Sequence, residues 1–324
     1  MDYDKIFIKE ACPTSIGGQA IMEGIMMQGP DRIALALRLP SNEIYLRTKK
    51  KKPIKKIMKV PFVRGVVAFI NSLVVGTSTL MESADILAEY TEDDENVEPG
   101  KLETWLTNKF GDKVVWNILL TCSVIFSLLI SIGAFVILPT WVVNFCNKFI
   151  SSAIVLNLIE GILRIAMFIG YVVLIRKMED IMTVFRYHGA EHKTIHCFEN
   201  NLELTPENAQ TFYTLHPRCG TSFIVFVLII SLLIFSFLGW PNFLWRTISR
   251  LLLLPVIAGI SFEVLKLAGR TDNKLVRLLS YPGLMLQKLT TAEPTLDQLE
   301  VAITALNAVL VDKDTPEIDG IVEK

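Results

Sequence analysis

Four long, predominantly apolar runs constrain this chain more than any other feature. A helix rises about 1.5 Å per residue, so about 20 apolar residues cross a hydrocarbon core of about 30 Å. Residues Val114–Pro139, Ser152–Ile175, Thr221–Trp240 and Ile248–Leu267 each reach that length. The chain is 51% hydrophobic with a mean hydropathy of +0.44, and the excess is stored in these runs. The first and third are nearly free of charge. The second contains Glu160 and Arg164, and the fourth contains Arg250 near its start and Glu263 and Lys266 near its end. The expected fold is a mainly α membrane protein with four transmembrane helices in two hairpins.

Lysine and arginine placement orients those hairpins. The loops 140–151 and 241–247 carry only Lys148 and Arg246. The loop 176–220 carries Arg176, Lys177, Arg186, Lys193 and Arg218, and the tail carries Arg270, Lys274, Arg277 and Lys288. Basic loops stay in the cytoplasm. Both termini and the 176–220 loop are therefore expected inside a bacterial plasma membrane. The start, MDYDKIFIKEACPTS, has no basic stretch followed by an apolar one, so no cleaved signal peptide is expected.

Five domains follow. Residues 1–112 form a cytoplasmic α+β region. Within it, alternating apolar and polar residues about Pro40, Ser41 and Asn42 predict a β-hairpin over 31–48. Upstream, GGQAIMEGIMMQGP sets glycines around a Met-rich core, a composition suited to close backbone approach or positive φ. The lysine run Lys49 to Lys59 precedes residues 60–84, which Arg64, Asn71 and several small polar residues dilute. That stretch reads as an amphipathic membrane-surface or partly inserted helix favouring anionic lipid, rather than a span. Residues 91–100 read as an acidic linker. Residues 113–175 are the first transmembrane hairpin, 176–220 a histidine-rich loop, 221–268 the second hairpin and 269–324 a tail. In the tail, Thr295 and Gln298 have capping-box spacing ahead of an apolar stripe from Leu296 to Leu310, which predicts an amphipathic helix.

Several function classes are disfavoured at this point. A net charge of −1 gives no sign of a nucleic-acid partner. The five cysteines, Cys12, Cys122, Cys146, Cys197 and Cys219, have no framework spacing and fit a reduced compartment.

The chain has four histidines, and all lie between His188 and His216. His188, His192 and His196 recur every fourth residue in a segment of helical periodicity, so they fall on successive turns of one face. Glu191 completes the order His-x-x-Glu-His of the inverted zincin motif. In that reading His188 and His192 hold a divalent metal, zinc first, and Glu191 is the base that takes a proton from water. His196, His216, Cys219 and Glu263 are candidates to complete the ligand set. Glu23, Arg218 and Lys266 are accessory candidates. Two bland alternatives stand beside this one: interfacial histidines that only hydrogen-bond, and a structural metal. Glu160 and Arg164, four apart in a span, read as a structural pair.

The segments GGQAIMEGIMMQGPDRIALALRLP, VPFVRGVVAFINSL, HGAEHKTIHCFE, LHPRCGTSF, SRLLLLPVIAGISFEVLKLAGR and YPGLMLQKLTTAEPTLDQLEVAI resemble the YqhQ-like family of bacterial membrane proteins, domain of unknown function 1385. The resemblance runs from about Gly17 to Leu310. It implies a metal-dependent enzyme with His188, Glu191, His192, His196, His216, Cys219, Glu23 and Glu263 as the matching positions, and it names no substrate. The leading functional expectation is a cytoplasmic-facing metal-dependent membrane hydrolase. A scaffold factor with a structural metal, docking lipid or a protein partner through its cytoplasmic domain, is the rival. A transporter using Glu160, Arg164 and Glu263 ranks third. The sequence leaves the oligomeric state open.

Overall fold

The computed structural model describes residues 14, 16–51, 60, 63–91, 107, 111–239, 242–268 and 274–322. Cys12, most of the lysine run, the acidic linker beyond Thr91, and Arg270 lie outside the described residues. The chain divides into two units, one of residues 1–91, 169–231 and 253–324, the other of residues 92–168 and 232–252.

The first unit is built on a five-stranded antiparallel sheet in the order β1 (Gly17–Ile21), β2 (Gly24–Gln28), β3 (Arg32–Arg38), β4 (Ile44–Lys50) and β5 (Asp319–Val322). The β3–β4 pair runs from Arg32 opposite Lys50 to Arg38 opposite Ile44. Strand periodicity sends alternate side chains to opposite faces. Ile25, Met27, Ala34, Ala36, Ile44 and Leu46 enter one core, while Ile21, Met26, Leu35, Leu37 and Tyr45 enter another. Both faces are therefore covered, which explains why these strands are richer in apolar residues than a half-exposed sheet requires.

On the first face lie α5 (Glu179–Glu199) and α10 (Leu296–Leu310). Tyr187, Ala190 and Ile195 of α5 share one core with Leu299, Ala302, Ala305 and Leu306 of α10. Thr295 caps α10 with a complete capping box to Gln298, which holds two otherwise orphaned backbone N–H groups. The second face takes Val75, Ile86 and Leu87 of α1 (Val63–Tyr90). Glu82 of α1 pairs with Arg47 at 2.9 Å and Lys49 at 2.6 Å. Strand β5 is fastened by Thr48, whose N–H donates to Ile318 O and whose Oγ1 accepts from Ile318 N–H, both at 2.8 Å.

Seven further α-helices complete the described residues. They are α2 (Asp112–Ile132), continued by a π-helical turn (Gly133–Ile137) into α3 (Leu138–Cys146), then α4 (Ala153–Ile175), a single turn α6 (Pro206–Gln210), α7 (Gly220–Phe237) and α8 (Phe243–Ala268), with α9 (Lys274–Thr290) added in the tail. Pro139 lacks an N–H, and the wide π turn just before it accommodates the missing backbone bond.

Among the described residues, five helical segments are long and apolar enough to cross a membrane: α1, Thr121–Cys146, α4, α7 and Phe243–Lys266. The apolar runs of the sequence give four and place 60–84 at the membrane surface; α1 is the addition. It qualifies because the helix is continuous over 28 residues and its most apolar 18 residues have a mean hydropathy of 1.4 despite the polar positions among them. In Thr121–Cys146, Ile125, Phe126, Leu128 and Leu129 are more than half exposed, and an apolar surface on all sides belongs in lipid.

Leu306 is fully buried where α10 meets the sheet and α5. Leu306→Ala is expected to lower stability by about 2–5 kcal/mol, read as a fall in the thermal midpoint of the detergent-purified protein.

Candidate metal centre

Helix α5 carries three of the four histidines, and each finds a backbone carbonyl partner outside that helix. His188 Nδ1 lies 2.8 Å from Thr290 O, at the end of α9. His192 Nδ1 is hydrogen-bonded to Thr214 O. A carbonyl only accepts, so both Nδ1 atoms carry the proton and both Nε2 atoms present lone pairs. His188 Nε2 is 3.1 Å from Cys219 Sγ. The ligand atoms of His188, His192 and Cys219 all lie within 4.8 Å of one another. A tetrahedral ion with bonds of about 2.0–2.3 Å holds its ligands roughly 3.3–3.8 Å apart, so this donor set fits a zinc-like ion after a small closure. The two carbonyls are the outer partners that fix ring orientation in such sites.

Glu191 faces the same space. Gly18 N–H of β1 donates to its Oε1 at 2.8 Å. A Cβ on Gly18 would stand 2.7 Å from Met26 O and 3.1 Å from the Glu191 carboxyl carbon, so a glycine is needed for this approach. Burial pushes the Glu191 carboxyl above its usual range, against the nearby His188 and the Gly18 hydrogen bond. A cavity of about 910 Å³ is lined by His188, Glu191, His192, His216, Cys219 and Lys266, with Gly17 and Gly18 on its sheet side.

Of the remaining candidates, His216 and Arg218 line the same cavity, while His196, Glu263 and Glu23 lie away from it. His196 lies eight residues beyond His188, about 12 Å along the helix axis. Its Nε2 bonds Leu215 O at 2.9 Å and its ring stacks on Phe212, so it is a buried structural histidine rather than a third ligand. His216 lines the cavity, its ring 5.6 Å from that of His192, and its Nε2 faces Glu199 at 3.7 Å. Arg218 also lines the cavity and forms a close ion pair with Glu199. Glu263 is a correction: it forms an ion pair with Arg64 of α1 and is not among the cavity residues, because the α8 turn that turns Phe262 and Lys266 inward carries Glu263 to another side. Glu23 is a second correction. It occupies the exposed turn between β1 and β2, with φ +48°, and it is β1 itself, not the turn, that reaches the cavity.

Other site residues had no sequence signal. The Thr214 and Thr290 carbonyls and the Gly18 amide are backbone groups, which any residue supplies. Glu199 closes HGAEHKTIHCFE, and its partners Arg218 and Thr14 come from distant segments; Thr14 N–H donates to it at 2.8 Å. Gln287 is fully buried and grips the His216 backbone from both sides, accepting from its N–H at 2.8 Å and donating to its C=O at 2.9 Å.

Residues 60–312 match the family described as Protein of unknown function (DUF1385). The chain is 34% identical to the Uncharacterized protein YqhQ of Bacillus subtilis (strain 168) over 306 residues, covering 93% of this chain and 94% of the relative. The chain belongs to the DUF1385 family. The match to the family includes all the helices from α1 to α10, and hence every residue of the candidate centre except those of β1. No solved structure matches it significantly.

The buried charges around the centre set a pH response. Burial holds both His196 and His216 down at about 4. For Glu199, burial acts upward but is outweighed by the nearby His216 ring, the hydrogen bond from Thr14 N–H and the Arg218 charge, which leave it at about 2. The unfolded chain takes up histidine protons below about 6.5 while the folded one refuses them until about pH 4. Stability is therefore full above about pH 6.5 and falls as pH drops towards 4. Glu199 adds a second loss in the same direction, from its ordinary 4.5 down towards 2. In chelator, the thermal midpoint is expected to fall between pH 7 and pH 4, with on the order of 3 kcal/mol lost per histidine by pH 4. His196→Gln should flatten that slope; an unchanged slope would contradict the assignment.

Proposed function

We propose that this chain is a metal-dependent membrane hydrolase with its centre open to the cytoplasm, in which His188, His192 and Cys219 hold a zinc-class ion and Glu191 is the general base. The reading is carried by one observation. Two imidazoles have their Nδ1 protons tied to carbonyls and their Nε2 atoms turned towards one thiol, on the wall of a cavity that also holds a buried carboxylate.

Three protein ligands with an open fourth position distinguish a catalytic site from a closed structural one. When bound, such an ion supplies Lewis acidity and makes water a nucleophile near neutral pH. The chain's own groups supply the rest. Glu191 Oε1 is fixed by Gly18 N–H, leaving Oε2 to take a proton from water in the cavity and pass it to a leaving group. A carboxyl raised by burial holds that proton at higher pH than an exposed one, which suits both transfers. Lys266, also on the cavity wall, offers a cation to an anionic part of a substrate.

A parity argument supports four crossings with both termini cytoplasmic. Strands β1–β4, α5 and α10 share one hydrophobic core, so the chain crosses the bilayer an even number of times between β4 and α5, and again between α5 and α10. Three candidate segments lie in the first interval and two in the second. Helix α1 is the one to set aside: its hydropathy, 1.4, is the lowest of the five, and its later turns pack on the sheet. Its early turns press Gly65 against Gly259 and Phe262 of α8, which suits a partly inserted helix.

Metal analysis of the detergent-purified protein is expected to give about one equivalent, lost in His188→Ala/His192→Ala and in Cys219→Ala. Glu191→Gln should keep the metal yet abolish complementation of a deletion strain. Full complementation by Glu191→Gln would remove the catalytic reading and leave a structural metal in a scaffold. For the topology, single cysteines placed at Asp314 and Glu89 should both react with a thiol reagent only from the cytoplasmic side, while one at Lys148 reacts from outside. Opposite sidedness of Asp314 and Glu89 would make α1 a span.

A further inference from the structure

Strand β1 is an outer strand of the sheet, and among the described residues it pairs with β2 alone. Successive residues of an antiparallel strand turn their backbone N–H and C=O groups alternately towards the partner strand and away from it. Gly18 N–H is given to Glu191 at 2.8 Å, not to β2. Gly18 therefore faces away from the sheet, and so does Ala20, two positions on. Among the described residues, nothing bonds the Gly18 C=O, the Ala20 N–H or the Ala20 C=O. The outer side of β1 thus presents an acceptor, a donor and an acceptor in a row.

Proteins guard such edges with charge, proline, a bulge or a covering segment. Strand β1 reads GGQAI, without charge or proline. Its residues Gly17, Gly18, Gln19 and Ala20 line the cavity that also holds His188, Glu191, His192 and Cys219. A Cβ on Gly17 would meet nothing within 4 Å, so space adjoins the strand there. Half-buried Val184, Phe185, Phe262 and Leu265 line the same cavity and offer apolar surface. Its volume of about 910 Å³ lies near the top of the range of about 300–1,000 Å³ usual for ligand sites.

We propose that the substrate of this centre is an extended peptide, which adds to the outer side of β1 as a further strand and is cut beside Glu191. The proposal rests on the hydrolase reading above and names its substrate class. Backbone groups that alternate along an edge are matched by another extended backbone, whereas an acyl chain has nothing to answer them. Two residues of a strand span about 7 Å, so a peptide bonded to Ala20 reaches the Glu191 carboxylate at Gly18 within the next residue pair. Hydrolysis then joins the oxygen of water to the scissile carbonyl carbon and breaks the C–N bond. The proton that Glu191 takes from water goes to the leaving nitrogen.

The test uses the full chain in detergent, loaded with zinc and carrying Glu191→Gln so that bound peptide is not consumed. A synthetic decapeptide library is presented to it, retained peptides are identified by mass spectrometry, and their affinities are measured by fluorescence anisotropy. Adding Ala20→Pro removes one outward N–H and puts a ring in its place without removing a bond to β2. It should weaken binding about tenfold or more, with one equivalent of metal and the circular dichroism spectrum retained. A second measurement needs no variant of β1: N-methylation of a retained peptide, one residue at a time, should weaken binding at every second position. Absence of metal would remove the centre and the peptide reading together. Bound metal and an essential Glu191, with no peptide retained above the Ala20→Pro level or with no alternation on N-methylation, would overturn the peptide and leave the hydrolase. Release of fatty acid from phosphatidylglycerol vesicles, unchanged by Ala20→Pro, would overturn it in favour of a lipid.

Discussion

Helix α5 buries Glu191, His192, Lys193, His196 and Glu199 within nine residues, and the first unit is organised around giving each of them a partner. A buried polar group without one costs more than most apolar contacts gain. Glu191 takes the Gly18 amide from β1; His192 and His196 take the Thr214 and Leu215 carbonyls; Lys193 takes Gln210 O and Glu293; Glu199 takes Arg218 and the Thr14 amide. The sheet, the 200–219 connection and the segment after α9 are thereby held to one helix. The arrangement also leaves His188, the half-buried member of the series, with its free nitrogen facing a thiol.

Apolar packing supplies the platform for that polar network. Alternation in β2, β3 and β4 sends one set of side chains to α5 and α10 and the other to α1, so the sheet is a middle layer, not a surface. Gly189 contributes at a single point: a Cβ there would stand 2.1 Å from Ala292 O, and without it the chain after α9 passes directly over α5 and bonds Ala292 N–H to Phe185 O at 2.9 Å. This close passage brings Thr290, and with it the outer partner of His188, to the helix.

Both units place charge where apolar surroundings magnify its energy, with different logic. Around α5 the charges are nearly matched, with Glu199 against Arg218 and Lys193 against Glu293. In the second unit guanidiniums gather on the single carboxylate of Glu160. Matched charge of the kind around α5 is a structural solution to burial.

Periodicity and composition alone determined much of this protein. Apolar runs of about 20 residues give membrane-crossing helices because only a helix satisfies its own backbone in hydrocarbon. The alternation after Asp31 marks the β3–β4 hairpin, Thr295 and Gln298 mark the start of α10, and four-residue spacing puts His188 and His192 on one helical face. Tertiary structure decided what spacing cannot encode. It chose Cys219 over His196 as the companion of the two histidines, because a ligand must converge in space, and two helical turns already separate His196 from His188. It took Glu263 to Arg64 and left Glu23 on a turn, because a carboxylate goes to whichever cation or amide its own backbone position can reach. The Gly18, Thr214 and Thr290 contacts come from backbone atoms that every residue shares, so only the path of the chain brings them to α5.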